Sequence, residues 1–115
     1  MSNCLFCRIV LGEIPCKKVY ESEDFLSFHD INPQARTHVL VIPKIHAENL
    51  TDAASKMESK MLGLYLQEIA TVAEKLGLSK NGFRTVFNTN EHSCQTVFHI
   101  HAHIMGGQQL SGNMG

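Results

Sequence analysis

The sequence predicts an α+β domain: an antiparallel sheet of about five strands, one long helix and a short N-terminal helix. Three observations carry this. Strand-like runs rich in β-branched and aromatic residues fill the first part of the chain, a single long stretch of helical periodicity follows, and two further strand-like runs close it. At 115 residues the chain is long enough for one hydrophobic core, so residues 1–115 are read as a single domain.

Leu5 to Gly12 has apolar residues at 5, 6, 9 and 10, which suits a short amphipathic helix stopped by Gly12, and Ile14-Pro15 forbids its continuation. Cys16 to Glu21 reads as an edge strand. Phe25 to His29 reads as a second strand after the polar turn Ser22-Glu23-Asp24. Asp30-Ile31-Asn32-Pro33 has turn chemistry. His38 to Ile42 is almost continuously apolar and β-branched, as expected of a central strand buried on both faces and ended by Pro43.

The long helix is expected from about Ala53 to Leu76. Leu62, Leu66, Ile69, Ala73 and Leu76 make one apolar stripe, with Lys56, Glu58, Lys60, Gln67, Glu74 and Lys75 mostly outside it. Gly77 ends the helix, Asn81-Gly82 turns the chain, and Phe83 to Asn88 is the next strand. Thr89 to Cys94 is a polar loop. Residues 108–115 lack periodicity and are expected to form a flexible tail.

Val97 to Met105 alternates His99, His101 and His103 with apolar residues, the period of a half-buried strand with three imidazoles on one face. A row of titratable rings near neutral pH has little structural use, which leaves nucleophilic chemistry and metal ligation open. His29 and His92 read as ordinary polar residues.

Hydrophobic residues make up 43% and charged residues 18%, with a formal charge of -1, so neither a nucleic-acid polymer nor a membrane surface is an expected partner. The apolar patch from Cys4 to Leu11 is interrupted by Arg8 and followed by Glu13, unlike a signal peptide or spanning helix. A cytoplasmic location is expected, with the four cysteines as thiols or metal ligands. Cys4-Leu5-Phe6-Cys7 has the spacing with which two thiolates grip one ion. Alone, it leaves open two small buried thiols.

Taken together, Gln95-Thr96-Val97-Phe98-His99-Ile100-His101-Ala102-His103-Ile104-Met105, Phe28-His29-Asp30-Ile31-Asn32-Pro33-Gln34-Ala35, His38-Val39-Leu40-Val41-Ile42-Pro43-Lys44, and Asn88 thirteen residues before His101 resemble the histidine triad (HIT) family. The likeness spans roughly residues 4 to 107 and is greatest to the nucleotide-binding branch of purine nucleoside phosphoramidases and nucleotidyl hydrolases.

That resemblance implies a homodimer, joined through sheets and long helices, that releases AMP or GMP from purine nucleotide conjugates through a nucleotidyl-histidine. It implies His101 as nucleophile, His103 beside the phosphate or leaving atom, and His99 and His38 holding the surroundings. Asn88 and the loop Cys94-Gln95-Thr96 would face the phosphate. Asp30, in the motif with Ile31, would hold the ribose, and Leu5, Phe6, Ile9, Ile14 and Phe28 the base. No cofactor is implied for catalysis. Some bacterial members that open with Cys-x-Phe-Cys hold structural zinc with two further histidines, which here implies Cys4, Cys7, His46 and His99 as ligands.

The chain departs from the branch at Cys94, where Gly is common and a positive φ would favour it, and at Thr96, which keeps the hydroxyl of the usual Ser. The chemistry itself asks for one free ring nitrogen on the nucleophile and a hydrogen bond holding the other. A metal-dependent hydrolase with zinc on the three triad histidines is the competing reading. Against it, no carboxylate stands near the triad in sequence to orient such ligands. A nucleotide-binding adaptor with vestigial activity would carry the same residues.

Overall fold

The computed structural model describes residues 3–114; the first two residues and Gly115, the end of the expected tail, lie outside the described residues. Five antiparallel strands form one sheet in the order β1-β2-β3-β5-β4: β1 Lys18–Glu21, β2 Phe25–His29, β3 Thr37–Pro43, β4 Phe83–Phe87 and β5 Ala102–Gly106. Helix α1, Leu5–Val10, lies near the N-terminus, and α2 Leu50–Lys56 and α3 Ser59–Lys75 connect β3 to β4. The α+β class and five-strand sheet are those read from the sequence. No helix among the described residues is long and apolar enough to cross a membrane.

β3 sits at the centre of the sheet, and from His38 to Pro43 every residue is buried. Its alternation divides the molecule. Val39 and Val41 face a core shared with Tyr65, Ile69, Val72 and Ala73 of α3 and with Ala102 and Ile104 of β5. Leu40 and Ile42 face a second cluster with Leu26, Phe28 and Phe6 of α1. The Tyr65 hydroxyl donates to the Val41 carbonyl at 2.6 Å and so pins α3 to the central strand. His99, His101 and His103 lie on the side of α1, where no long helix among the described residues covers the sheet.

Three expectations need correction. The long helix is two helices: Met57 and Glu58 are extended, and the break lets Met57 turn into the core, where it is buried beside Ala53. Asn49 starts α2 earlier than expected, its side chain accepting from the Asp52 N–H while Asp52 accepts from the Glu48 N–H. The apolar stripe is also rotated. Tyr65, Ile69, Val72 and Ala73 form the buried face, whereas Leu66 is 60% exposed and Leu62 lies at the margin.

The third correction concerns the histidine run. The regular strand begins only at Ala102, so His99 precedes it in a bend and His101 on irregular backbone, although both are buried. Two glycines end elements, Gly77 as expected. Gly77, at φ +74, closes α3 while the Leu78 N–H reaches back to the Ala73 carbonyl. Gly107, at φ +79, ends β5 where an added Cβ would lie 3.0 Å from the Thr37 hydroxyl.

Candidate active site and metal centre

His101 has the arrangement a nucleophilic imidazole needs. Its Nδ1–H donates to the backbone carbonyl of His99 at 2.8 Å, which leaves the lone pair on Nε2. Burial pushes the ring below its ordinary pKa against the opposing pull of the His99 carbonyl and Asp30, so the neutral form prevails at pH 7. The Phe6 ring meets it edge-on, with centroids 5.2 Å apart, and the His103 ring centroid lies 4.9 Å away.

His103 is carried by β5 opposite Leu40 of β3. Its Nδ1 lies 2.9 Å from Nε2 of His38, whose Nδ1 in turn accepts the Gln34 backbone N–H at 2.9 Å. Burial, then the neighbouring His101 and His38, push His103 down to about 4. Its Nε2 is buried without a hydrogen-bond partner among the described residues. Asp30 is half-buried beside this pair, with Oδ1 taken by the Asn32 N–H at 2.8 Å and Oδ2 3.4 Å from His38 Nε2.

His99 turns away toward a different group. Its Nε2–H donates to the Pro43 carbonyl at 2.8 Å, leaving Nδ1 as the lone pair. That atom lies 3.4 Å from Cys4 Sγ, 3.5 Å from Cys7 Sγ and 3.3 Å from His46 Nδ1, while Cys7 Sγ is 3.3 Å from His46 Nδ1. A tetrahedral ion with bonds of about 2.0–2.3 Å spaces its ligand atoms about 3.3–3.8 Å apart, so these distances match the edges of one coordination tetrahedron. All four ligand atoms lie within 4.8 Å of one another.

The cluster's chemistry fits a cation too. Burial and then Cys4 raise the Cys7 thiol to about 11, and a dication would offset both. The Cys7 N–H also donates to Cys4 Sγ at 3.3 Å. Among the described residues the fold does not gather the three triad histidines around one ion: His99 joins the cysteines, His103 joins Asp30 and His38, and His101 joins neither group.

Of the residues expected to bind the base, Phe6, Phe28 and Ile9 pack together, whereas Leu5 is 43% exposed and Ile14 lies outside that cluster. Ile31 is fully exposed. Asn88 is half-buried just beyond β4. The loop after it holds a 3₁₀ turn, Glu91–Ser93. There the Cys94 N–H bonds the Glu91 carbonyl and the Gln95 N–H bonds the Asn90 carbonyl, so both are spent within the loop.

The Gln95 side chain is likewise committed, donating to the Glu48 and Val97 carbonyls and accepting from the Asn90 N–H. Thr96 is exposed, and it lines a cavity of about 580 Å³ with Cys4, Leu5, His46, Glu48 and Phe98. Cys94 adopts φ 66 and ψ 33, the left-handed conformation that glycine takes without penalty, at a cost of about 1–2 kcal/mol for a residue with a side chain. Sequence reading missed Gln34 and Pro43, because each contributes a backbone group and any residue type supplies one.

The HIT domain model matches residues 11–110. A purine nucleoside phosphoramidase of Escherichia coli K12 is 40% identical over 106 residues, covering 92% of this chain and 88% of that protein. A 14 kDa zinc-binding protein of Zea mays is 44% identical over 112 residues, covering 96% of this chain and 86% of that protein. The crystal structure of a HIT family hydrolase from Legionella pneumophila superposes with a TM-score of 0.92 at 44% identity, over 98% of this chain and all of that one.

Proposed function

The chain belongs to the HIT domain family, and from that premise we propose that it is a hydrolase of purine nucleoside phosphoramidates and related nucleotidyl conjugates. Nε2 of His101 attacks phosphorus as the bond from phosphorus to the leaving group breaks, the amine departing with a proton from solvent; water then attacks the same phosphorus, the P–Nε2 bond breaks, and the water's proton returns to solvent as AMP or GMP is released. The observation that carries the reading is the bond from His101 Nδ1–H to the His99 carbonyl, which aims the lone pair outward from a buried, neutral ring.

Around that nucleophile, His103 faces the phosphoryl oxygens or leaving atom, and Asn88 and the Thr96 hydroxyl complete the phosphate side. Asp30 binds the ribose. The base lies against Phe6, Ile9 and Phe28, whose apolar faces hold it by burial and stacking, and the preference for purines rests on family membership. A homodimer is part of the reading, supported by the uncovered apolar residues Leu64 and Leu66 on α3. So is the cytoplasm, whose reducing conditions keep Cys4 and Cys7 as thiols.

Cys4, Cys7, His46 and His99 hold zinc, supported by the match of their spacing to a tetrahedron. Zinc there supplies structural cross-linking of α1 to the segment that carries His101. No catalytic step requires it. The discriminating experiment is incubation with an adenosine phosphoramidate, with and without chelator, following AMP release. Turnover that outlasts mild chelation supports the histidine mechanism, immediate loss favours metal-dependent hydrolysis, and no turnover with intact AMP binding favours a nucleotide-binding adaptor.

A further inference from the structure

The Gln34 backbone N–H points at Nδ1 of His38 from 2.9 Å, so that nitrogen must present a lone pair and the ring's hydrogen must sit on Nε2. Two acceptors face this hydrogen: His103 Nδ1 at 2.9 Å and Asp30 Oδ2 at 3.4 Å. The nearer one receives it. His103 Nδ1 is therefore also a lone pair, and its hydrogen lies on Nε2, the buried atom with no partner among the described residues. We infer that His38 is a positioning residue that locks His103 into the Nε2–H tautomer, so that His103 offers the substrate a neutral hydrogen-bond donor instead of a transferable proton.

Protonating His103 on Nδ1 as well would set two hydrogens between nitrogens 2.9 Å apart, and His38 cannot move its own hydrogen to Nδ1 while the Gln34 N–H occupies that atom. The same argument removes Asp30, His38 and His103 as a cation site, although their ligand atoms lie close enough together. His38 has one nitrogen engaged by a backbone donor and a hydrogen on the other. The ligand that suits His103 Nε2 is an acceptor, a phosphoryl oxygen or the leaving atom, next to the His101 ring. Only the identity of this acceptor rests on the proposed nucleotidyl transfer; the tautomer rests on the hydrogen-bond chain alone.

Protein labelled with ¹⁵N-histidine, studied at pH 7 by long-range ¹H–¹⁵N correlation, reads every tautomer directly. His38 and His103 are expected as Nε2–H forms with acceptor shifts at Nδ1, and His101 as the Nδ1–H form. A His103 that is cationic, or that carries its hydrogen on Nδ1, overturns the inference without touching the assignment of His101. In the phosphoramidate assay, His38→Phe should lower kcat by about tenfold or more with KM within about threefold, and its spectrum should lose the single His103 tautomer. His38→Gln keeps an N–H donor and should restore both in part. An unchanged kcat in a folded His38→Phe protein also overturns the inference, whereas the expected tautomers in a protein without phosphoramidase activity support it and defeat the functional reading.

Discussion

The carbonyl oxygen of His99 lies 2.8 Å from Nδ1 of His101, while the ring of the same His99 reaches the two cysteines at 3.4 and 3.5 Å. One residue therefore joins the Cys4, Cys7 and His46 cluster through its side chain and the proposed nucleophile His101 through its backbone. The coupling is geometric. Anchoring the His99 ring between the Pro43 carbonyl and the cluster fixes where its carbonyl points, and that carbonyl sets the tautomer of His101.

Protein purified without chelator should contain about one zinc per chain, and Cys4→Ser should lower both the zinc content and the melting temperature, the latter by several degrees. Atomic absorption together with a thermal melt checks this. Zinc-free protein with an unchanged melt would remove the metal from the cluster.

Asp30→Asn should weaken ribonucleotides more than their 2′-deoxy counterparts, by about tenfold relative to them, because a charge-assisted bond is lost only to the ribose diol. Binding isotherms with AMP and dAMP measure it. Equal weakening of both would confine Asp30 to its bond with the Asn32 N–H and its approach to His38.

How much of this could be read from the residues follows from where each instruction is stored. Gly77, Pro43 and the Phe25–His29 strand carry local backbone chemistry, and the fold uses them much as read. The break at Met57 and Glu58 has no Gly or Pro to announce it and arises because Met57 gains burial in the core. Alternation in Val97 to Met105 marked the three histidines as special, but it could not show that His99 would turn to Cys4 and Cys7 while His103 turned to His38. Those partners come from distant elements, and the groups that set the tautomers at Gln34 and Pro43 are main-chain atoms.

Leu66, 60% exposed on α3, and Phe83 on the edge strand β4 are apolar surface that a second copy of the chain would cover. Light scattering at micromolar concentration should give about twice the chain mass. Leu66→Asp should shift it toward the single-chain value, and a wild-type monomer at these concentrations would contradict the dimer.

Acid should destabilise the fold before its carboxylates titrate. Burial pushes His103 down to about 4 and shifts His38 and His101 in the same direction, so below the ordinary imidazole value of about 6.5 the unfolded chain binds protons that the folded one refuses. The stability these neutral rings provide is complete above about pH 6.5 and drains away as the pH falls toward 4. Denaturant melts should show a loss on the order of a few kcal/mol between pH 7 and pH 5, and a flat profile would mean that the rings protonate freely in the folded state.

The most direct test is to trap the intermediate. Wild-type protein mixed with an adenosine phosphoramidate, quenched in alkali within one turnover and digested, should yield a peptide carrying AMP on His101, stable to alkali and labile to acid. His101→Ala should show no adduct and no AMP release while binding AMP within about tenfold of wild type. Turnover by His101→Ala at the wild-type rate would contradict the mechanism outright.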